Sequence, residues 1–231
     1  MSEIDTTEME SVPATWALLL DIDFAAVNGI ACYRSAVAEV LKGHGVDLSD
    51  GAFARFFLTD GVENGTKAFF ASLKRVESLP EIVEAIRAAF VEKQTATAPA
   101  ASVKALIKAA EAQGGGVVCI SSFGEEHTGK ILAALELSDD TAVIEARQSD
   151  WGVYSTDVWV RAMRMAGLPT KHCVAVAAHA KSGRSAMMAS LNIAALVSPL
   201  TEYMDFTGAD YVGDIASTEG TQAIVDLVKP K

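Results

Sequence analysis

Two aspartates one residue apart, Asp21 and Asp23, follow the apolar run Ala17 to Leu20 in the stretch WALLLDIDFAAVNG. A carboxylate at a strand end can attack an electrophile such as phosphorus, giving an acyl phosphate that water later cleaves. Asp21 is the candidate nucleophile. Asp23 is the candidate proton donor to the leaving oxygen, and afterwards the base for water. Carboxylates this close repel each other, and a hard cation such as Mg²⁺, which takes oxygen ligands, offsets that repulsion. Asp21 and Asp23, the latter through side chain and backbone carbonyl, are therefore the candidate metal ligands. A polar end to a buried strand accounts for the pair without chemistry, and D-x-D also suits metal-dependent sugar transferases.

Three further stretches can serve an anion. Ser121 and Ser122 end a second apolar run, VVCI, where hydroxyls and the following N–H groups can hold phosphoryl oxygens. In HAKSGRSA, His179 to Ala186, Lys181 and Arg184 flank a glycine and can make an anion site, or simply a solvated turn. GEEHTGK, Gly124 to Lys130, has the spacing of a nucleotide-binding P-loop. Against P-loop nucleotide binding stand Ile131, where a Ser or Thr should meet magnesium, and two glutamates where the phosphates belong. His127, His172 and His179 are scattered without metal-ligand spacing, and neither G-x-S-x-G nor G-x-G-x-x-G occurs.

The elements that must position these residues read as an α/β chain. Ala17 to Leu20 suits a buried parallel strand whose C-terminal end opens onto solvent, the end at which open α/β sheets bind ligands. Helical spacing follows from Ile30 to Leu41. Asp50 is read as capping a short helix with Phe53, Phe56 and Phe57, TDGVENG as a loop or turn, and Pro80 as opening a helix through Gln94. From Ser102 onward strands and helices alternate: strands at Val117 to Ile120, Ala142 to Glu145, Cys173 to Ala177, Ile193 to Val197 and Tyr211 to Val212. Helices are read at Val103 to Ala112, His127 to Leu135, Asp157 to Ala166, Ser185 to Ser190 and Thr221 to Val228. This predicts a doubly wound, mostly parallel sheet with a helical insert after the first strand. The division is a flexible lead at 1–15, a core at 16–27 and 94–231, and an insert at 28–93.

Half of the 231 residues are apolar, ample for a sizeable core, and the formal net charge is −11. That acidity disfavours nonspecific binding to nucleic acid or acidic membranes. No apolar run reaches the roughly 20 residues of a membrane span, and MSEIDTTEMESVPAT lacks the basic start and apolar middle of a secretory signal. Cys32, Cys119 and Cys173 are odd in number and widely spaced, as buried free thiols of a reducing compartment would be. The expected address is the cytoplasm or an organelle interior.

Together these stretches resemble the haloacid dehalogenase-like superfamily, in its β-phosphoglucomutase-like and CbbY-like branch with a helical cap. LLLDIDFAAVNG is similar to that family's first motif and VVCISS to its second, while 28–93 stands in the place of the cap. The resemblance implies a three-layer Rossmann-like core and a Mg²⁺-dependent phosphoester hydrolase or phosphosugar mutase working through an aspartyl phosphate on a small phosphorylated metabolite. It also implies a cap that closes over substrate, with Thr66 and Lys67 as candidate contacts. Two motifs depart. Val153 stands where the family carries a lysine, and Ala177, Ala178 and His179 where it carries Glu-Asp. The first loss removes a cation from beside the nucleophile, the second a magnesium carboxylate. Arg147, Lys130 or Lys181 are the candidates to replace the charge, and Glu145 or Asp150 the carboxylate. The competing expectation is a degenerate member that keeps the fold and acts by binding or assembly, as monomer or homodimer.

Overall fold

A computed structural model describes residues 14–147 and 153–228. Its sheet comprises β1 (Trp16–Asp21), β2 (Gly115–Ser121), β3 (Ala142–Glu145), β4 (Cys173–Ala177), β5 (Asn192–Val197) and β6 (Tyr211–Asp214). Their order is β3-β2-β1-β4-β5-β6, and every pairing is parallel. β1 is thus central, and the order reverses beside it, which puts the crevice of an open α/β sheet at the end of β1 where Asp21 lies. All six residues of β1 are buried because helices cover both faces. Leu18 and Leu20 point into one apolar cluster, and Ala17 and Leu19 into the other.

Between β1 and the rest of the sheet run α1 (Gly29–Gly43), the single turn α2 (Asp50–Ala52), a π-helix (Phe53–Leu58), α3 (Thr59–Ser72) and α4 (Leu79–Ala96). Then come α5 (Ala101–Ala112), α6 (Glu125–Ala134), α7 (Thr156–Ala166), a 3₁₀ turn (Thr170–His172), α8 (Ala180–Met188) and α9 (Thr221–Asp226). None of the described helices is long and apolar enough to cross a membrane. Cys32, Cys119 and Cys173 are buried free thiols.

The helices before α5 are joined to the sheet by an aromatic cluster. Phe24, just past β1, stacks on Phe90 of α4 with ring centroids 5.3 Å apart, and Tyr33 of α1 meets Phe90 edge-on at 6.1 Å. Tyr33 also meets Phe53 at 5.2 Å, tying in the π-helix. The edge-to-face geometry lets ring quadrupoles add to the burial of large apolar surfaces.

Three local expectations change. TDGVENG is helical, not a loop: Gly61, at φ 75°, takes up a kink inside α3, and Gly65 lies so close to the Phe56 carbonyl that a Cβ would collide with it. Gly61 thus supplies the left-handed break within α3, and Gly65 allows the close helix contact. HAKSGR is likewise the start of α8 rather than a turn, because the His179 imidazole accepts from the Lys181 N–H at 3.1 Å and acts as the helix cap. The short helix near Asp50 is capped by Ser49, whose Oγ accepts from the Ala52 N–H at 3.2 Å, while Asp50 pairs with Arg34.

Phe90 is fully buried and bridges helix to sheet. Truncating it in Phe90→Ala should lower unfolding stability by about 3–5 kcal/mol, read from urea denaturation.

Candidate functional site

The sequence places Asp21 at the last position of β1 and lets the chain turn after it. In the turn the Phe24 N–H donates to Asp21 Oδ1 at 3.0 Å and the Ala25 N–H to the Asp21 carbonyl at 3.2 Å. Parallel register sets Asp21 opposite Ile120, so Ser121 and Ser122 lie just beyond it at the neighbouring strand tip. Ser121 Oγ donates to Asp23 Oδ1 at 2.8 Å, and the Ser122 N–H donates to Asp23 Oδ2 at 2.6 Å. Thr128 of α6 donates to Ser121 Oγ at 3.0 Å and holds that hydroxyl in place. The serines therefore grip a carboxylate of their own chain.

Tyr154, ahead of α7, joins the two acids. Its hydroxyl lies 3.1 Å from Asp21 Oδ1 and 3.1 Å from Asp23 Oδ2, with one hydrogen to share between them. Tyr154 adjoins Val153, the position where a lysine was expected. A neutral phenol thus reaches the place where the resemblance implies a cation.

The rim expected to open onto solvent is closed. Asp21 and Asp23 are both 0% exposed, and Ser121, Ser122 and Tyr154 are buried as well. Burial raises the Asp21 pKa well above its ordinary value, the neighbouring Asp23 charge raises it further, and the Phe24 and Tyr154 bonds only partly oppose this. Burial also pushes Asp23 up, to about 6, against the lowering effect of Ser122, Ser121 and Tyr154. Asp21 Oδ2 has no hydrogen-bond partner among the described residues. Burial beside a second carboxyl thus favours the protonated form of Asp21.

These residues do not fit the magnesium that the resemblance implies. The Asp23 carbonyl accepts a hydrogen bond from Gln94 Nε2 of α4, so a donor occupies the approach a cation needs. Both Asp23 oxygens and Asp21 Oδ1 are taken by donors, and no cluster of three or more His, Cys, Asp or Glu suited to a metal occurs among the described residues. A magnesium site calls for near-octahedral oxygen ligation.

The remaining candidates lie apart from this network. Lys181 Nζ donates to the Thr59 carbonyl, and Arg184 pairs with Asp205 at 2.7 Å on the surface. Lys130 pairs with Glu126 at 2.7 Å. Thr66 is buried and donates to the Val62 carbonyl at 2.6 Å within α3, while Lys67 is exposed beside it. His179, expected as part of the departed acidic turn, gives a ring nitrogen to the Leu58 carbonyl at 2.9 Å, and burial pushes its pKa down to about 4. A cleft of about 480 Å³ is lined by Ser121, Thr128, Glu125, Asp139 and Glu145 among others. Neither aspartate lines it, and its charged lining is acidic. Asp150 lies outside the described residues. Sequence reasoning missed Tyr154 and Gln94, since each reaches the pair from a distant element, and it gave His127 no role because its bond is to Gln94 rather than to the pair.

The comparisons agree with the fold. No family model matches the sequence, and no curated protein matches it. Among solved structures, CbbY from Rhodobacter sphaeroides in complex with xylulose-(1,5)bisphosphate is 20% identical, with a TM-score of 0.66 over 88% of this chain and 96% of that one. A putative β-phosphoglucomutase from Thermotoga maritima is 13% identical, TM-score 0.68, over 93% and 100%. A HAD family hydrolase from Deinococcus radiodurans R1 with bound phosphate and sodium is 17% identical, TM-score 0.67, over 95% and 100%. The chain thus has the haloacid dehalogenase-like fold, a Rossmann-like core of the kind shared by CbbY and β-phosphoglucomutase, as the first two motifs imply.

The buried pair gives a signed pH dependence. Asp23 titrates near 6 when folded and near its ordinary 3.8 when unfolded, so the folded state binds more protons between those values. The stability it contributes is complete below about pH 4 and is lost as pH rises through 6, on the order of 3 kcal/mol. His127 and His179, both pushed down to about 4, act in the opposite sense over the same range. The Asp23 share is therefore read as wild type minus Asp23→Asn in urea denaturation. That difference should fall from pH 4 to pH 6, and a flat or rising difference contradicts the assignment.

Proposed function

We propose that this protein keeps the phosphoester hydrolase or mutase fold but acts by binding or assembly, with Asp21 and Asp23 as a polar brace inside the sheet rather than a catalytic couple. The observation that carries this reading is the complete burial of both carboxyls beneath Tyr154, Ser121, Ser122 and Gln94. Nucleophilic attack needs the reacting atoms about 3–3.5 Å apart. A phosphoryl group has no path to Asp21 in this arrangement. The charges around it also disfavour an anion, because the cleft that meets the network at Ser121 is lined by three acidic side chains. In this reading 28–93 is a helical layer fixed to the core at 16–27 and 94–231.

A second reading has its own support. CbbY is described with xylulose-(1,5)bisphosphate, and Asp23, with a pKa of about 6, suits a group that gives and takes a proton near neutrality. If the helical layer opens, Asp21 could attack the phosphorus of a small phosphorylated metabolite. Asp23 would protonate the leaving oxygen and then activate water to cleave the aspartyl phosphate.

One measurement separates the two. Purified protein is screened for phosphate release from phosphorylated sugars and an aryl phosphate, with magnesium and with chelator, beside Asp21→Asn. The expected result is release indistinguishable from that of the variant in every condition. Release that the variant loses would overturn the first reading in favour of the second. Asp21→Asn should also raise the thermal midpoint at neutral pH, since it relieves the fold of holding a proton or a charge in a dry site.

A further inference from the structure

Gln94 is the last buried residue of α4, and its side chain reaches the backbone of the turn after β1. The Asp23 carbonyl oxygen can only accept, so the amide must turn its Nε2 toward it. That leaves Oε1 for His127 of α6, whose Nε2 lies 2.8 Å away and must therefore be the donor. Both partners demand the same amide orientation, so the side chain is doubly fixed. His127 is buried, and its pKa is pushed down to about 4 by burial and by Lys130, which keeps the ring neutral as this assignment requires. Its Nδ1 has no hydrogen-bond partner among the described residues, consistent with the hydrogen standing on Nε2.

The other side of the carbonyl is also covered. Gly29 opens α1 directly against it, so closely that a Cβ there would collide with the Asp23 oxygen. Around this point Phe24 stacks on Phe90 at 5.3 Å, Phe90 lies tilted to Phe123 at 5.1 Å, and Phe123 meets the His127 ring edge-on at 5.3 Å. The carbonyl that could have faced a cation therefore faces an amide inside an apolar shell. An N–H group satisfies the carbonyl as a metal ion would, but brings no charge to offset the two carboxyls, which agrees with their being held by hydrogen bonds instead.

We propose that Gln94, aligned by His127, is a built-in substitute for the divalent cation at the Asp23 carbonyl, and that it pins α4 to the sheet so that the helical layer does not open as a cap. The inference rests on the non-catalytic reading of the pair.

The test uses the full chain and Mn²⁺ alone, with free Mn²⁺ followed by electron paramagnetic resonance. Wild type should leave the free signal unchanged into the millimolar range. Gln94→Glu replaces the donor with a carboxylate beside the carbonyl, and it should bind Mn²⁺ at least roughly tenfold more tightly than wild type, as an added anionic ligand tunes such sites. Gln94→Met keeps the volume and removes the donor. In hydrogen exchange it should speed exchange of the α4 amides while leaving those of α7 unchanged. It also tests the pin should the Glu variant fail to fold. Wild-type Mn²⁺ binding equal to that of Gln94→Glu overturns the substitution, and unchanged α4 exchange in Gln94→Met overturns the pin. The outcomes stay distinct from the phosphatase screen. Mn²⁺ binding by wild type without turnover defeats this inference alone, whereas wild-type turnover without Mn²⁺ binding defeats the functional reading alone.

Discussion

Two carboxyl groups separated by one residue sit fully buried, and the local structure must answer for both. An isolated ionised carboxylate in such a place costs several kcal/mol, and a second beside it costs more. The protein answers with donors from different parts of the chain. The Phe24 N–H comes from the turn itself, Ser121 Oγ and the Ser122 N–H come from the tip of β2, and the Tyr154 hydroxyl comes from ahead of α7. This works only because β1 and β2 are parallel and in a register that brings Ser121 one step past the residue opposite Asp21. A slip by one residue would turn both serine contacts away. What the described donors do not cover is Asp21 Oδ2, on the acid whose pKa burial and the Asp23 charge raise well above its ordinary value.

The same proximity would serve phosphoryl transfer, which is why access rather than closeness separates the two roles. A catalytic pair needs one face toward a ligand and a counter-charge that arrives with the ligand or a metal. Here the faces are spent on Tyr154 and the serines, and the carbonyl is spent on Gln94. Lys181 and His179, which the sequence offers at the tip of β4, instead grasp the carbonyls of Thr59 and Leu58 where the π-helix meets α3. Both contacts run between the helices inserted after β1 and the start of α8, just past the tip of β4. The rim of the sheet, where such a fold takes its ligand, is thus bonded to the protein's own helices.

Much of this was legible beforehand because it rests on local signals. The strands Ala142–Glu145 and Cys173–Ala177 appear where the apolar runs put them, and the central position of Asp21 follows from LLLD. The helical start of α8 was not legible, since it depends on a histidine acting as cap, which turn-forming residues in HAKSGR disguise. Nor was the closure of the pair. Tyr154 lies 133 residues from Asp21, and Gln94 lies 71 from Asp23. Contacts at such separations are set by packing of whole elements, and no spacing rule reports them.

The two acids of D-x-D are held unequally by the fold. Asp23 receives Ser121 Oγ, the Ser122 N–H and a share of Tyr154, all buried. An apolar residue there would leave each of those donors stranded, at about 1–3 kcal/mol apiece. Asp21 receives the Phe24 N–H and the other share of Tyr154, and keeps one oxygen with no partner among the described residues. The fold therefore needs Asp23 far more than it needs Asp21, although in a nucleophilic mechanism the first acid would be the indispensable one. A motif read as chemistry can thus be held in place by hydrogen-bond satisfaction alone, and the residue that discriminates is the one the packing could spare.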